Sequence, residues 1–367
     1  MPPPIIDLIA GARPNFMKLA PVERALRAQG LVSPRIVHTG QHYDSGMNDV
    51  FFADLGIPRP AVNLEVGSGS HGAQTARILE RYEAHLSANR PDAVVVFGDV
   101  NSTVACALAA VKLGIPVAHV EAGLRSFDRT MPEEINRLLT DAIADLLLVT
   151  EPSGVENLRR EGIENGKVHL VGNVMIDTLL AELPKCKRLG VAASLGLEPN
   201  GYGLVTMHRP SNVDDAATLA RLLELLRELS RDLPLVMPLH PRTRHAIERA
   251  GLQALLAEGG RLVIVDPLPY AKNLGLMAEA RLVMTDSGGM QEETAVLGVP
   301  CLTLRDNTER PITLERGTSR LVGNDPDRIR QAFADATAGC WPKGQSIPLW
   351  DGRAAERVAM AIGEWLA

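Results

Sequence analysis

The stretch AVVVFGDVNSTVACALAAVKLGIPVAHVE, residues 93–121, contains the pattern from which we predict the fold. Two short valine-rich runs, at 93–97 and 117–120, flank a segment with helical periodicity. Strand, helix and strand in this order are typical of a βα unit in a parallel sheet. Asp99 and Glu121 follow the two runs, at the strand ends where open α/β sheets bind ligands.

The same alternation continues in both directions and forms two series. Further strands are predicted at 5–10, 35–38, 146–150 and 168–171, and then at 203–207, 235–238, 262–265, 282–285 and 301–304. Residues 172–200, between the series, are rich in helix breakers and short of core pattern, which is typical of an interdomain region. We therefore predict an α/β protein with two doubly wound domains, 1–171 and 172–348, whose carboxyl-end loops face a common cleft. Apolar residues at helical spacing predict a closing helix within 349–367 (Ala355, Val358, Ala359 and Ile362).

Composition and charge exclude several classes of protein. Hydrophobic residues make up 46% of the chain and charged residues 22%, which fits a globular protein and argues against a disordered one. A formal net charge of −6 without a long basic run argues against nucleic acid as a partner. Apolar runs are far shorter than the roughly 18 residues of a membrane span, and the start lacks the basic region of a secretory signal. Four scattered cysteines without a CxxC pair argue against zinc or a disulfide framework, so we predict a cytoplasmic protein with free thiols.

The first strand leads into a turn that suits an anion. Residues 11–18, GARPNFMK, begin with a glycine that permits a tight turn and continue with a proline suited to the first helical turn. Arg13 and Lys18 would then lie near a helix N-terminus, a combination that binds phosphate. The same pattern is equally typical of a capped turn with two solvated cations.

A second anion site is indicated at 285–293, TDSGGMQEE, which follows a predicted strand and opens a helix. The amides of Ser287, Gly288 and Gly289 would be helix-terminal donors, and the glycines would let a phosphate approach the backbone. Glu293 either favours the helix dipole or binds a ribose diol. Arg310 follows the next strand, where an isolated arginine is more typical of a loop salt bridge.

Acids and histidines follow strands in both series. Asp99 and Glu121 are predicted at the carboxyl edge of one sheet, and Glu133 at the start of the next helix, where an acid often only favours the dipole. His208 and His240 each follow a strand of the second series. At neutral pH a histidine at such a position either donates to phosphate or transfers a proton.

The segment GSGSHG, residues 67–72, formally matches the GxGxxG dinucleotide fingerprint. It follows the poor strand pattern at 63–66 and does not open the first βαβ unit, as that fingerprint requires. We therefore do not predict a dinucleotide site there.

Several blocks of sequence, taken together and in order, resemble the non-hydrolysing UDP-N-acetylglucosamine 2-epimerase family. The blocks are 11–14 (GARP), 39–42 (TGQH), 98–99 (GD), 119–125 (HVEAGLR), 132–137 (PEEINR), 171–173 (VGN), 208–209 (HR), 285–293 (TDSGGMQEE) and 305–311 (RDNTERP). They keep the family's order from residue 5 to about residue 323 of this sequence. Several long blocks in register are more specific than any single motif.

The resemblance implies a GT-B-like fold, in which two Rossmann-like domains face a central cleft and the last helix crosses back to the first domain. It also implies a homodimer. The implied reaction is reversible inversion at C2 of UDP-GlcNAc to give UDP-ManNAc, without NAD or an obligatory metal. The family eliminates UDP to leave 2-acetamidoglucal and then adds UDP back.

The resemblance also implies residue roles. Asp99, Glu121 and Glu133 would supply carboxylates at the sugar, and His208 would act at the departing diphosphate. Glu293 would bind the ribose. The other implied substrate-binding residues are Arg13, Lys18, Arg137, His240, Ser287, Gly288, Gly289 and Arg310, and no metal ligand is implied.

The sequence departs from the family at three places. Leu268 and Asn273 stand where the best-known bacterial members have a glutamine and an aromatic residue near the uracil, so base contacts would be mostly with the backbone. The loop between Glu121 and Glu133 is shorter than in the best-known bacterial members. Some members have an activating second UDP-GlcNAc site. Gln41 and His42 match that segment, but the two residues after them do not, so the resemblance gives allosteric activation little support.

Four alternative functions remain at the level of the sequence. The same chemistry on a related sugar, such as a UDP-diacetamido uronic acid, fits the same blocks, because these chiefly hold UDP and the C1–C2 region. A hydrolysing relative would release UDP and free ManNAc. A GT-B glycosyltransferase would need an acceptor, and the three acids argue against it. A catalytically silent UDP-sugar sensor would have no need of those acids.

Overall fold

The computed structural model describes residues 2–40, 56–257 and 260–367, with only the backbone of Arg13, Pro14 and Ala257. The chain divides into two compact units. The first comprises Met1–Thr178 together with Pro348–Ala367, and the second comprises Leu179–Ile347.

Within the described part of the first unit, seven strands form one parallel sheet. They are β1 (Ile5–Ala10), β2 (Ser33–His38), β3 (Val62–Asn63), β4 (Ala93–Phe97), β5 (Val117–Ala122), β6 (Leu146–Val149) and β7 (Val168–Leu170). Their spatial order is β3-β2-β1-β4-β5-β6-β7. This is the Rossmann order, in which the strand order reverses between β1 and β4, and such a reversal is where ligands bind.

Helices cover this sheet. They are α1 (Arg13–Gln29), α2 (His71–Ala88), α3 (Asn101–Lys112), α4 (Pro132–Ile143) and α5 (Pro152–Arg160), with a short 3-10 turn at Asn165–Lys167. The helix α6 (Val174–Arg188) begins in this unit and ends in the second. The central strand β4 is at most 1% exposed along its whole length. A continuous apolar run is what a parallel strand covered on both faces requires, which is why AVVVF forms β4.

The second unit repeats this topology with six described strands. They are β8 (Gly203–Thr206), β9 (Leu235–Pro238), β10 (Leu262–Val265), β11 (Leu282–Thr285), β12 (Cys301–Thr303) and β13 (Ser319–Leu321), in the order β10-β9-β8-β11-β12-β13. All pairs are parallel. The strand order reverses between β8 and β11, so this sheet also has a ligand-binding reversal point.

The described helices of the second unit are mostly short. They are α7 (Val191–Ser194), α8 (Pro210–Val213), α9 (Ala216–Leu229), α10 (Pro241–Ala250), α11 (Ala254–Ala257), α12 (Tyr270–Glu279), α13 (Gly288–Leu297), α14 (Ile312–Glu315) and α15 (Pro326–Thr337). The leucine-rich face of α9 packs into the core with β9 and α15. Burying such a side chain contributes roughly 1.5–3 kcal/mol relative to leaving it exposed.

The closing helix α16 (Ala354–Leu366) returns to the first unit and packs against α1. Its apolar face is buried as predicted (Ala355, Val358, Ala359 and Ile362). The Asp177 carboxylate accepts hydrogen bonds from the backbone N–H groups of Ala354 at 3.1 Å and Ala355 at 2.7 Å. A carboxylate at a helix N-terminus stabilises the helix, so α6 and α16 are fastened together.

All eleven predicted strands are confirmed, but the edge strands β3 and β13 were not predicted. With two and three residues, they are too short to show a period.

The breaker-rich region 172–200 contains the helices α6 and α7. In the GSGSHG segment, Ser70 caps α2 by accepting the N–H of Ala73. Among the described helices, none combines the length and the hydropathy that a membrane span requires.

Candidate functional site

Both sheets place polar residues at the point where the strand order reverses. In the first unit, the turn after β1 leads to Lys18, and β4 is followed by Gly98 and Asp99. In the second unit, His208 follows β8 and Asp286 follows β11. These are the positions at which parallel α/β sheets bind ligands.

Asn15 holds the turn after β1 in place, and sequence reasoning did not single it out. Its side-chain oxygen accepts from the N–H of Ala12 at 2.9 Å, and its side-chain nitrogen donates to the Phe97 carbonyl at 2.8 Å. Asn15 is 2% exposed. The ends of β1 and β4 are therefore joined through one buried side chain. An asparagine close after a strand was the sequence signal that could have identified this role of Asn15.

Lys18, one turn further along α1, forms a buried ion pair. Its Nζ lies 2.6 Å from Oε2 of Glu121, and the side chains are 9% and 2% exposed. Gly98 makes room for this pair, since a Cβ at position 98 would lie 2.7 Å from the Lys18 Nζ. Gly98 also has a φ of +62°, which disfavours other residues. Lys18, predicted as a cation near the start of α1, thus neutralises a predicted catalytic acid.

Glu121 itself has a strained backbone. Its φ is +75°, a left-handed conformation that glutamate rarely adopts, and the β5–β6 register is irregular between Val120 and Ala122. A non-glycine residue in this region costs about 1–3 kcal/mol and persists only where its surroundings hold it. Such strain is frequent at functional sites, and here it determines the direction of the Glu121 carboxylate.

Asp99 is held by Arg137 on α4. The guanidinium of Arg137 bonds to Oδ2 of Asp99 and to the carboxylate of Glu134, and the Asp99 carbonyl accepts from Nδ2 of Asn136 at 2.9 Å. The Arg137 side chain is 3% exposed, whereas that of Asp99 is 23% exposed. Arg137 was predicted to bind substrate. The structure places it between two carboxylates, with Asp99 the more accessible partner.

The first turn of α4 contains two glutamates with different surroundings. Glu134 is buried and accepts from the N–H groups of Ser126 and Phe127, both at 2.9 Å, so it fastens the loop after β5. Glu133, the predicted catalytic residue, is half-buried. Sequence reasoning missed the structural role of Glu134, because adjacent acids in a first helical turn look alike in a sequence.

In the second unit, Asp286 organises the segment after β8. It is fully buried, and its carboxylate accepts from the N–H of His208 at 2.9 Å and of Arg209 at 2.9 Å. Nδ1 of His208 lies 2.9 Å from Oδ1 of Asp286. Burial alone would raise the pKa of Asp286, but these bonds from His208 and Arg209 hold it below its ordinary value. The ionised carboxylate fixes the ring of His208 and leaves Nε2 for a ligand.

His240 lies beside His208, with ring centroids 5.1 Å apart. Its Nδ1 accepts the N–H of Arg242 at 3.2 Å, so the ring proton is on Nε2. Burial and then the neighbouring His208 lower the pKa of His240. The two predicted histidines are thus brought together, with His240 as a neutral donor.

The segment 287–289 opens α13 as predicted. The N–H of Ser287 donates to Oγ1 of Thr285 at 3.0 Å, so the prediction that this amide is an unpaired donor is wrong in this structure. Gly288 and Gly289 are the first residues of α13, where backbone N–H groups have no intrahelical acceptor. The space beside Gly289 is open, whereas a Cβ on Gly288 would lie 2.6 Å from Nη1 of Arg310. The start of α13 is therefore crowded at Gly288 and open at Gly289.

Glu293, one turn into α13, is a buried acid. Its Oε1 accepts the phenol of Tyr270 at 2.9 Å. Burial raises the pKa of Glu293 to about 7; the bond from Tyr270 opposes this shift and the neighbouring Glu292 adds to it. Tyr270 was not predicted as part of the site, because its partner is set by packing between α12 and α13.

Arg310 lies within a buried ionic cluster. Its Nε is 2.6 Å from Oε1 of Glu292, and it also pairs with Glu309, which bonds to Nη2 of Arg305 at 2.8 Å. The Arg310 side chain is 7% exposed. Its guanidinium reaches the start of α13 already paired, because a Cβ on Gly288 would lie 2.6 Å from Nη1 of Arg310 and 2.7 Å from Oε1 of Glu309.

Three predictions lie wholly or partly outside the described residues. These concern the side chain of Arg13 and the residues Gln41 and His42. In the part of the chain that the structure describes, no group of three or more His, Cys, Asp or Glu side chains is arranged to hold a metal ion.

The two units offer different chemistry. The first presents Asp99 and Glu121, at the ends of the neighbouring strands β4 and β5, each paired with a cation. Carboxylates in such positions accept or return protons. The second presents imidazoles and a helix N-terminus, which together bind anionic phosphate groups.

Comparison with known proteins gives a consistent result. The sequence profile described as UDP-N-acetylglucosamine 2-epimerase matches residues 24–363. The UDP-N-acetylglucosamine 2-epimerase of Methanocaldococcus jannaschii is 43% identical over 362 residues, which cover 97% of this chain and 98% of the relative. The UDP-2,3-diacetamido-2,3-dideoxy-D-glucuronate 2-epimerase of Pseudomonas aeruginosa is 41% identical over 355 residues, which cover 96% of this chain and 97% of the relative.

A solved structure agrees with these relatives. The crystal structure of Methanocaldococcus jannaschii UDP-GlcNAc 2-epimerase in complex with UDP-GlcNAc and UDP superposes with a TM-score of 0.90 at 40% identity. The match covers 98% of this chain and 99% of that chain. The expected α/β class, GT-B-like with two Rossmann-like sheets, is confirmed. The chain belongs to the UDP-N-acetylglucosamine 2-epimerase family.

Proposed function

We propose that this protein catalyses the reversible epimerisation of UDP-GlcNAc to UDP-ManNAc at C2 of the sugar. The observation that carries the proposal is the pair of carboxylates, Asp99 and Glu121, at the ends of adjacent strands, each held by a cation. The family relationship supplies the substrate, since relatives more than 40% identical along nearly the whole chain are named as epimerases of this kind.

The chemistry of the sugar requires more than one acid or base. The C2 proton of UDP-GlcNAc is not adjacent to a carbonyl, so a carboxylate alone would not remove it at neutral pH. As the C1–O bond breaks and UDP leaves with the bonding electrons, C1 gains oxocarbenium character and the C2–H becomes acidic. One carboxylate then takes the proton, and the product of this step is 2-acetamidoglucal. Return of a proton to the opposite face, with addition of UDP at C1, gives the epimer.

Residues of the first unit are proposed to act on the sugar. Glu121 is fixed by its strained backbone and by its ion pair with Lys18. Asp99 is the more exposed acid and is oriented by Arg137. Glu133, half-buried in the first turn of α4, is the third acid of the proposal.

Residues of the second unit are proposed to bind UDP. Nε2 of His208 is the ring nitrogen left for the departing diphosphate, because Nδ1 bonds to Asp286. It would donate to the diphosphate in the imidazolium form, in which both ring nitrogens carry a hydrogen. The amides of Gly288 and Gly289, with His240, would share the diphosphate charge. The other residues proposed to line the nucleotide site are Ser287, Arg310 and Glu293, which would bind the ribose hydroxyls.

We further propose that the protein is a cytoplasmic homodimer. The exposed face of α4 presents Ile135, 37% exposed, and Leu139, 52% exposed, one turn apart, and Phe127 nearby in sequence is 75% exposed. Exposed apolar groups of this kind mark interaction surfaces. Replacing Leu139 with glutamate should shift the mass measured by light scattering from two chains to one.

A second substrate deserves a direct comparison because the Pseudomonas aeruginosa relative is named for it. Purified protein would be incubated, without added NAD, with UDP-GlcNAc and separately with UDP-2,3-diacetamido-2,3-dideoxy-D-glucuronate. The proposal predicts UDP-ManNAc from the first at a higher kcat/KM than any product from the second. A higher value for the uronic acid would transfer the assignment to that sugar. Accumulation of free ManNAc with UDP would instead show a hydrolysing enzyme.

A further inference from the structure

A buried ionic cluster lies behind the proposed catalytic acids of the first unit. His119, on β5, is fully buried, and its Nδ1 lies 2.7 Å from Oδ1 of Asp141 on α4. Its Nε2 lies 2.8 Å from the carbonyl oxygen of Gly98. The second oxygen of Asp141 accepts the N–H of Gly123 at 3.0 Å and lies 2.7 Å from Nη1 of Arg125.

The hydrogen bonds determine the protonation of His119. A carbonyl oxygen only accepts, so the bond to Gly98 requires a hydrogen on Nε2. The contact with Asp141 requires a second hydrogen, either on Nδ1 or on the carboxyl group. Arg125 and the amide of Gly123 both donate to Asp141, which stabilises its ionised form. The second hydrogen is therefore on Nδ1, and both ring nitrogens of His119 are protonated.

The balance of charges agrees with this accounting. Arg125 pairs with Asp141 and also bonds to both oxygens of Glu161, at 2.8 and 2.6 Å. With a neutral His119, these groups would leave a net negative charge in a mostly buried cluster. With a protonated His119, two cations and two anions cancel, and burial of uncompensated charge is avoided.

The cluster forms hydrogen bonds with the backbone next to both proposed acids. Gly98, immediately before Asp99, is bonded to β5 at both ends, since its N–H donates to Val120 and its carbonyl accepts from His119. Asp141 bonds to the side chain of His119 and to the N–H of Gly123, which lie two residues before and two residues after Glu121. These two hydrogen bonds, one on each side of Glu121, hold its backbone in the left-handed conformation.

We propose that His119, doubly protonated between Asp141 and the carbonyl of Gly98, acts as a positioning residue for Asp99 and Glu121. The positioning role rests on the proposed function, whereas the protonation state does not. The charged groups around it are Asp141 from α4, Arg125 from the loop after β5, and the two acids with their partners Lys18 and Arg137. His119 contacts only protein groups in this cluster, so its proposed role is to position the acids and not to touch the substrate.

The protonation state is testable on the wild-type protein without substrate. Nitrogen-15 NMR of histidine-labelled protein at neutral pH should show two protonated nitrogens for His119, identified by the loss of its signals in His119→Gln. The half-buried His169, on β7 of the same unit, serves as a comparison for a histidine outside the cluster. An unprotonated ring nitrogen on His119 at neutral pH would overturn the proposal, whether or not the protein epimerises UDP-GlcNAc.

The positioning role is testable by paired substitutions. His119→Gln places an amide near the position of Nε2 and keeps a donor to Gly98, whereas His119→Asn keeps only a donor to Asp141. We expect kcat to fall about 100-fold in His119→Asn and about 10-fold in His119→Gln, as misplaced catalytic groups do, with KM and the Kd of UDP within about twofold of wild type. His169→Asn should leave kcat, KM and the Kd of UDP unchanged.

A folded His119→Asn protein with wild-type kcat would overturn the positioning role. An imidazolium signal in a protein that fails to epimerise any UDP-sugar would count against the proposed function alone.

Discussion

The Nζ atom of Lys18 lies 2.6 Å from Oε2 of Glu121, in the space that a Cβ on residue 98 would occupy. A glycine after one strand thus makes room for the cation that pairs with the acid after the next strand. Removing one partner of a buried ion pair leaves an uncompensated charge and costs about 3–5 kcal/mol. The site of the first unit therefore depends on the absence of a side chain as well as on the presence of charged ones.

Gly98→Ala should strongly reduce epimerisation. The new Cβ would lie 2.7 Å from Nζ of Lys18 and displace it, and the φ of +62° would be strained. Gly30→Ala is the matched control, because Gly30 has a φ of +68° with no atom within 4 Å of the added Cβ. Gly30→Ala should cost roughly 1–2 kcal/mol of stability in urea unfolding. Gly98→Ala should cost more, because it also displaces Lys18 from its buried ion pair. Only Gly98→Ala should also lower kcat, by at least about 10-fold. Equal activity in the two variants would contradict the account of this pair.

Asp99→Asn and Glu121→Gln should each reduce kcat by about 10²–10⁴-fold, the range typical of lost acid–base catalysis. The Kd of UDP, measured by calorimetry, should change little, because the proposed UDP ligands lie in the second unit. Glu156→Gln is a control on the exposed surface of the same unit, where Arg159 and Arg160 lower the pKa of Glu156 to about 2. Wild-type turnover in both variants would remove these acids from the mechanism.

The sequence predicts the strands and the acids well, for one physical reason. A parallel strand covered on both faces needs an unbroken apolar run, as at β4, and a ligand-binding residue then follows it directly. The ends of such runs locate Asp99, Glu121 and His208 without knowledge of any contact.

The sequence does not predict which side chains pair with one another in the site. Lys18 and Glu121 are far apart in the chain, and only the order of the strands brings them together. The same holds for Tyr270 with Glu293, and for Asp286, whose bonds to the segment after β8 required the adjacency of β8 and β11. Asp286 lies within the motif 285–293 and directly follows a strand. That position could have identified it as a candidate site residue.

His208→Ala should impair both turnover and binding of UDP. Loss of a donor to the developing diphosphate charge should lower kcat by about 10²-fold or more. Asp286→Asn should have a smaller effect in the same direction, because an amide still accepts from the ring of His208 but lacks the charge that orients it. Steady-state kinetics and UDP calorimetry on both variants provide the check. Normal kinetics in His208→Ala would reject its role at the diphosphate.

Glu293→Gln should stabilise the ligand-free protein at high pH. The pKa of Glu293 is raised by burial to about 7 in the folded state, from 4.5, so its carboxyl group favours folding at low pH and this contribution is lost as the pH rises through 7. Between pH 5 and pH 8, the stability of Glu293→Gln relative to wild type should increase by about 2–3 kcal/mol. Urea unfolding at both pH values measures this difference. Glu224→Gln, at an exposed position on α9, should show no such change; an equal change there would refute the explanation.

The most direct test of the central claim is solvent exchange at C2. The protein would be incubated with UDP-GlcNAc in D₂O, without added NAD, and the sugar followed by proton NMR. The account predicts UDP-ManNAc with deuterium at C2, because the proton is removed and returned from opposite faces by acids in exchange with solvent. An unchanged spectrum from protein that binds UDP measurably would contradict it.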